Sequence, residues 1–199
     1  MKKKLILKII KRTPNNSLRV FLYKWLLKYN IGVNVKIGRS LINCNNVNLG
    51  DNVIIRHNNI ISCDSFSVGS NTKIHSGNTI VGKSSFSIGE NSRIINDHFL
   101  DLWNNINIGN NTWIAGRGCQ FWTHGSIHTK KGTKDLGINI KDNVYISSNT
   151  SIAPGATIEN DNLIGLGSVV SKSILTKRNI VAGNPATVIK QNVDWRENW

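Results

Sequence analysis

The chain has 199 residues, 39% of them hydrophobic, enough to fill the core of one or two domains. No apolar run approaches the ~20 residues of a membrane span, and no cleavable leader is expected, because Lys8 interrupts the apolar stretch 5–10 and no small-residue cleavage site follows. The net charge of +14 is lopsided: residues 1–39 hold 11 of the 25 Lys and Arg and no Asp or Glu, which argues against nucleic-acid binding along the rest of the chain.

That basic segment, residues 1–32, reads as a unit of its own. Helices are expected over 3–12 and 18–29, broken at Pro14-Asn15-Asn16. The second carries Leu18, Phe21, Leu22, Trp25 and Leu26 near helical spacing, with Arg19, Lys24 and Lys28 outside. Two roles fit and can coexist. One is a cap over the open end of a stacked core. The other is a basic amphipathic helix lying on an anionic membrane.

From residue 33 to 190 the chain repeats. The phrase Leu49-Gly50-Asp51-Asn52-Val53-Ile54-Ile55 returns at Val68, Ile88, Ile108 and Ile140, and a sixth copy begins at Ile158 with its Asn displaced. Ile140, Ile146, Ile152, Ile158, Ile164 and Val170 stand six apart without a slip. Each hexad supplies a short strand, a turn and one inward aliphatic. Three hexads close a triangular coil, and only a stack of coils buries the apolar side. A sandwich would alternate at period two with turns every eight to twelve residues. The fold class is therefore an all-β solenoid, a parallel β-helix. Gly and Asn after the aliphatic are expected at corners that need positive φ. Cys44 and Cys63 lie about one coil apart. With Cys119 they make an odd set without metal-ligand spacing, read as free thiols in a reducing cytoplasm.

Residues 121–139 break the hexads, and they bring His124 and His128. An imidazole can take a proton from a hydroxyl at neutral pH, and function concentrates in such excursions. Trp103, Trp113, Phe121 and Trp122 gather around this coil, and an exposed aromatic face there suits a sugar ring. After residue 171 the chain is expected to leave the stack and end in a short strand and helix, with 191–199 as a tail.

The hexads, the His-bearing loop and the ending Ala182-Gly183-Asn184-Pro185-Ala186-Thr187-Val188-Ile189-Lys190 resemble the hexapeptide-repeat acyltransferases, most of all the bacterial O-acetyltransferases of O-antigen and capsule polysaccharides. The resemblance implies a left-handed helix, a homotrimer with active sites between neighbours, and acetyl-CoA as co-substrate without a metal. It implies His124 as general base and Asn96 as a residue that places the acceptor. Asp97 and His98 are implied near base or sugar, and Trp122 and His128 on the acceptor side. The backbone N–H of Ser148 would hold the oxyanion. Leu166, Ser171, Lys172 and Lys190 would line the path of CoA, although Leu166 is larger than usual there and Thr187 replaces a basic residue. The expected reaction is direct acetyl transfer to a hydroxyl of a bacterial surface saccharide, at the inner face of the membrane. Alternatives are a small-molecule acetyltransferase acting on a sugar, serine or antibiotic, a γ-carbonic-anhydrase-like metalloenzyme needing three convergent His, and a non-catalytic scaffold.

Overall fold

A computed structural model describes residues 2–125 and 135–197. It is a left-handed parallel β-helix of about seven turns behind two short helices. Face 1 stacks Asn30–Ile31, Asn46–Leu49, Ser65–Val68, Phe86–Ile88, Ile106–Ile108, Ile138–Ile140 and Thr157–Ile158. Face 2 runs from Lys36–Ile37 through Arg93–Asn96, Trp113–Arg117 and Tyr145–Ile146 to Ile180–Gly183. Face 3 runs from Leu41–Ile42 through Phe99–Leu102 and Gln120–Phe121 to Val169–Val170.

The register explains the sixes. Ile140, Ile158 pair on face 1, Ile146, Ile164 on face 2 and Ile152, Val170 on face 3. Successive hexad aliphatics thus visit the three faces in turn, and each is buried against its counterpart one coil away. Where coils are longer, most of the extra residues fall between faces 3 and 1. Ile152 to Ile158 is six residues, Ile80 to Ile88 and Leu100 to Ile108 are eight, and Phe121 to Ile140 is nineteen. The excursion therefore enlarges a corner already widened in the coils before it.

At the corner between faces 1 and 2 positive φ falls on Asn or Asp rather than on the repeat Gly, whereas Gly77, Gly118 and Gly167 take it between faces 2 and 3. Asn34, Asn52, Asn71, Asn91, Asn111, Asn143 and Asp161 all take φ between 52° and 61° at the corner between faces 1 and 2. Asp161 fills this place in the sixth copy, which accounts for its displaced Asn. The repeat glycines serve another purpose: a Cβ on Gly69 would lie 2.6 Å from the Gly89 carbonyl carbon, and one on Gly89 would lie 2.8 Å from that of Gly109. The coils approach too closely there for any side chain.

The helices, α1 (Lys2–Arg12) and α2 (Asn16–Leu27), flank Pro14 as expected, with Asn15 capping α2 by accepting from the Leu18 N–H (3.1 Å). They close the first coil, but with the opposite face from the one the spacing suggested. Arg19 is buried, donating from Nε to the Ile37 carbonyl (2.9 Å) and from its guanidinium to the Thr13 carbonyl. Tyr23 donates to the Ser40 carbonyl (3.2 Å), and Asn16 accepts from the Ile37 N–H (2.8 Å). The first coil presents unpaired backbone groups, as any sheet edge does, so polar side chains cover it. Leu18, Phe21 and Trp25 are left exposed.

At the other end the stack runs further than expected. Ile180–Gly183 pairs parallel with Leu163–Ile164, and Ala186–Lys190 folds back on it antiparallel. The tail forms a turn rather than a helix over its described residues. Trp195 donates to the Asn143 carbonyl (2.7 Å) beside Trp113 and Tyr145. The paired thiols do stack: Cys44 and Cys63 are buried with Sγ atoms 3.3 Å apart.

Candidate active site

The widened corner between faces 3 and 1 holds His124. Its Nδ1 lies 2.7 Å from Asp101 Oδ2, one coil below. Asp101 is nearly buried on the strand Phe99–Leu102, and the same carboxylate oxygen accepts from the Thr123 N–H (3.1 Å). The Thr123 hydroxyl donates to the Asp101 carbonyl (2.8 Å) and accepts from the Asn104 N–H (2.8 Å), so His124 and Asp101 are tied to one another through the backbone between them. A carboxylate only accepts, so the neutral imidazole carries its proton on Nδ1 and leaves Nε2 unprotonated, with no hydrogen-bond partner among the described residues. The His124 side chain is 50% exposed. Trp103 lies next to it with ring centroids 5.6 Å apart, and Lys83 Nζ stands 3.8 Å over the Trp103 ring. Lys83, Trp103 and His124 thus climb the same corner in three consecutive coils.

Asp101 was not singled out in the sequence. Its signal was an acidic residue between two buried aliphatics, Leu100 and Leu102, one coil before the loop His. Asp97 and His98 do not take this part. Asp97 sits at the opposite end of face 3, paired with Arg117 at 2.6 Å. His98 is buried inside the coil, where its Nδ1 accepts from the Cys119 N–H (3.1 Å) and its Nε2 has no hydrogen-bond partner among the described residues. It continues an internal ladder: Asn59 Oδ1 accepts from the Asn78 N–H, and Asn78 Oδ1 from the His98 N–H. Burial holds its pKa down at about 4, against the opposing pull of Asp97 and the Ile114 carbonyl. A saccharide cannot reach it.

The remaining expected residues divide between two corners. Trp122, Ser171 and Lys172 share the His124 corner or its approach, Trp122 packing on Phe99 with centroids 5.0 Å apart. Asn96, Ser148 and Leu166 line the corner between faces 2 and 3. There Asn96 accepts from the Ser76 N–H (3.1 Å), Ser148 Oγ from the Arg117 N–H (3.3 Å), and Leu166 is 71% exposed. Within one chain, a face separates Asn96 and Ser148 from His124. Lys190 is exposed at the end of the last strand. His128 lies outside the described residues. Of the four aromatics, Phe121 is core and Trp113 is engaged with the tail, while Trp103 and Trp122 are exposed beside His124.

Comparison with known proteins gives the site a context. No family model matches the chain. A putative acetyltransferase of Staphylococcus aureus is 35% identical over 65 residues, 32% of each chain. The galactoside O-acetyltransferase of Escherichia coli is 36% identical over 90 residues, 43% of this chain and 44% of that one. The matched stretch spans less than half the length of either relative. A hexapeptide-repeat acetyltransferase of Vibrio cholerae shares the fold, with a TM-score of 0.50 at 19% identity over 96% of this chain and 88% of that one. That Vibrio protein has also been solved with acetyl coenzyme A bound. The chain accordingly shares the β-helix fold of that Vibrio protein and, over less than half of its length, is similar in sequence to acetyltransferases.

Proposed function

We propose that the protein transfers an acetyl group from acetyl-CoA to a saccharide hydroxyl, with His124 as general base. The observation that carries this is the 2.7 Å contact between His124 Nδ1 and Asp101, which leaves Nε2 without a partner among the described residues, beside an exposed Trp. The acceptor ring rests on Trp103, and its hydroxyl donates its proton to Nε2 as the oxygen attacks the thioester carbon. The new C–O bond gives a tetrahedral oxyanion. Collapse breaks the C–S bond, and the departing CoA thiolate takes the proton back from the imidazolium. Asp101 holds the imidazole in one tautomer and stabilises its charged form throughout.

The oxyanion donor is the Ser148 N–H of a neighbouring copy. One chain keeps Ser148 and Asn96 a whole face away from His124, and a ring of three copies sets the corner between faces 2 and 3 of one against the His124 corner of the next. Leu166, Ser171, Lys172 and Lys190 flank CoA in that cleft. Trp103 and Trp122 favour a saccharide over serine as acceptor, since flat aromatic surfaces match the apolar faces of sugar rings. The acceptor class we assign is a bacterial surface saccharide, lipid-linked and met at the inner face of the membrane through residues 1–30.

The test is free-thiol release from acetyl-CoA against a panel of bacterial saccharides, for wild type and His124→Ala. Acceptor-dependent release reduced by about a hundredfold or more in the variant is expected. Release that is independent of acceptor, or untouched in the variant, removes His124 as the base.

A further inference from the structure

The outer surface of the α1–α2 cap is left without a partner by the fold. On α2, Arg19 and Tyr23 point into the first coil, while Leu18, Phe21 and Trp25 stand exposed at helical spacing. Phe21 and Trp25 stack with centroids 6.2 Å apart. On α1, Leu7 and Ile10 are buried, while Leu5 and Ile9 are 62% and 53% exposed. Beside them lies a groove of about 510 Å³ lined by Lys8, Lys11, Arg12, Arg39 and Asn58. Four cations face this groove, and residues 1–39 contain no acid to neutralise them.

We infer that this cap is a docking surface for an anionic phospholipid bilayer, with headgroup phosphates in the Lys8–Lys11–Arg12–Arg39 groove and Phe21, Trp25, Leu5 and Ile9 in the interface. The inference deepens the membrane reading given above and stands apart from the transferase chemistry. Two features select this occupant. Apolar side chains alternating with lysines, and a Trp among them, suit the boundary between headgroups and acyl chains, where lysine stems lie along the apolar layer and their ammonium groups reach phosphate. A second copy of the same surface would set the four cations of the groove against four more, so like charge opposes cap-to-cap pairing. No helix among the described residues is long and apolar enough to cross a membrane, so contact here is peripheral. In a ring of three copies joined corner to corner, all three caps point the same way, and the docking is trivalent.

The experiment is flotation of the full chain with vesicles of phosphatidylcholine alone and of phosphatidylcholine with phosphatidylglycerol. Two variants accompany wild type: Phe21→Ser with Trp25→Ser, and Lys8→Gln with Lys11→Gln and Arg12→Gln. Wild type should float with the anionic vesicles only and be released by high salt. Each variant should lose about tenfold or more of that affinity. Thiol release with a soluble acceptor should be unchanged in both, because none of these residues touches the site, and this separates failed docking from failed catalysis. Wild type that ignores anionic vesicles, or variants that float as well as wild type, overturn the inference. So does an assembly larger than a trimer in lipid-free light scattering that shrinks on Phe21→Ser with Trp25→Ser, since a protein would then cover the patch.

Discussion

A carboxylate behind an imidazole acts twice: it fixes which nitrogen is bare, and it steadies the cation once the proton has moved. Asp101→Asn separates these from simple packing. The amide can offer its NH2 to Nδ1, which drives the proton to Nε2 and removes the base while leaving the volume unchanged. We expect kcat to fall by about 10² to 10⁴ with KM for acetyl-CoA nearly constant, read from thiol-release kinetics. A loss below about fivefold would mean that Asp101 serves only the Thr123 backbone. His98 gives a second test. Its folded pKa, about 4, is below the ordinary 6.5, so the unfolded chain takes up a proton that the folded one refuses. Stability is undiminished above pH 6.5 and falls by on the order of 3 kcal/mol as pH drops to 4. His98→Asn places at this rung the residue already present at Asn59 and Asn78, whose Oδ1 atoms accept the next coil's N–H as His98 Nδ1 does. Chemical denaturation at several pH values should show a fold retained and the slope between pH 6.5 and 4 reduced. An unchanged slope would assign the acid sensitivity to other groups. Sequence alone drew attention to His98 because it is a titratable residue near the loop. Only the register shows that it stands in an Asn column.

At the scale of the element, two residue types that look interchangeable in the repeat have different duties. Asn71 sits at φ 61° with its Oδ1 accepting from Asn52 Nδ2 (3.1 Å), whereas the constraint on Gly89 is the backbone of the next coil. Asn71→Gly should therefore cost less than about 1 kcal/mol, while Gly89→Ala should cost about 1–3 kcal/mol through overpacking. Thermal or denaturant unfolding of the pair measures this, and equal costs would refute the assignment. The six-residue period made the faces and their inward aliphatics legible, because one aliphatic per hexad is what a shared core demands. The helical cap was legible in position but not in orientation. Amphipathic spacing assumes that a helix buries its apolar stripe, and the end of a solenoid instead presents carbonyls and N–H groups that Arg19, Tyr23 and Asn16 satisfy. Asp101 escaped for a related reason: outward strand positions carry no periodic signature, so an acid there looks like ordinary surface until His124 is placed above it.

For the whole molecule, the division of expected site residues between two corners makes a quantitative statement about assembly. If each active site joins the His124 corner of one copy to the Leu166 corner of the next, then His124→Ala and Leu166→Arg, each inactive alone, damage different halves of every site. Mixed in equal amounts by co-expression, the two chains form rings in which about a quarter of the interfaces pair an intact His124 corner with an intact Leu166 corner. Thiol release should then recover to about a quarter of the wild-type rate per site. Analytical ultracentrifugation of the same samples should give the mass of three chains. Separate expression followed by mixing without exchange should give no recovery, because closed rings of one variant contain no intact pair. Sites built within single chains would give none in the co-expressed sample either. Recovery, together with a mass of three, requires that copies share their sites. Activity in Leu166→Arg alone would instead remove that corner from the path of CoA.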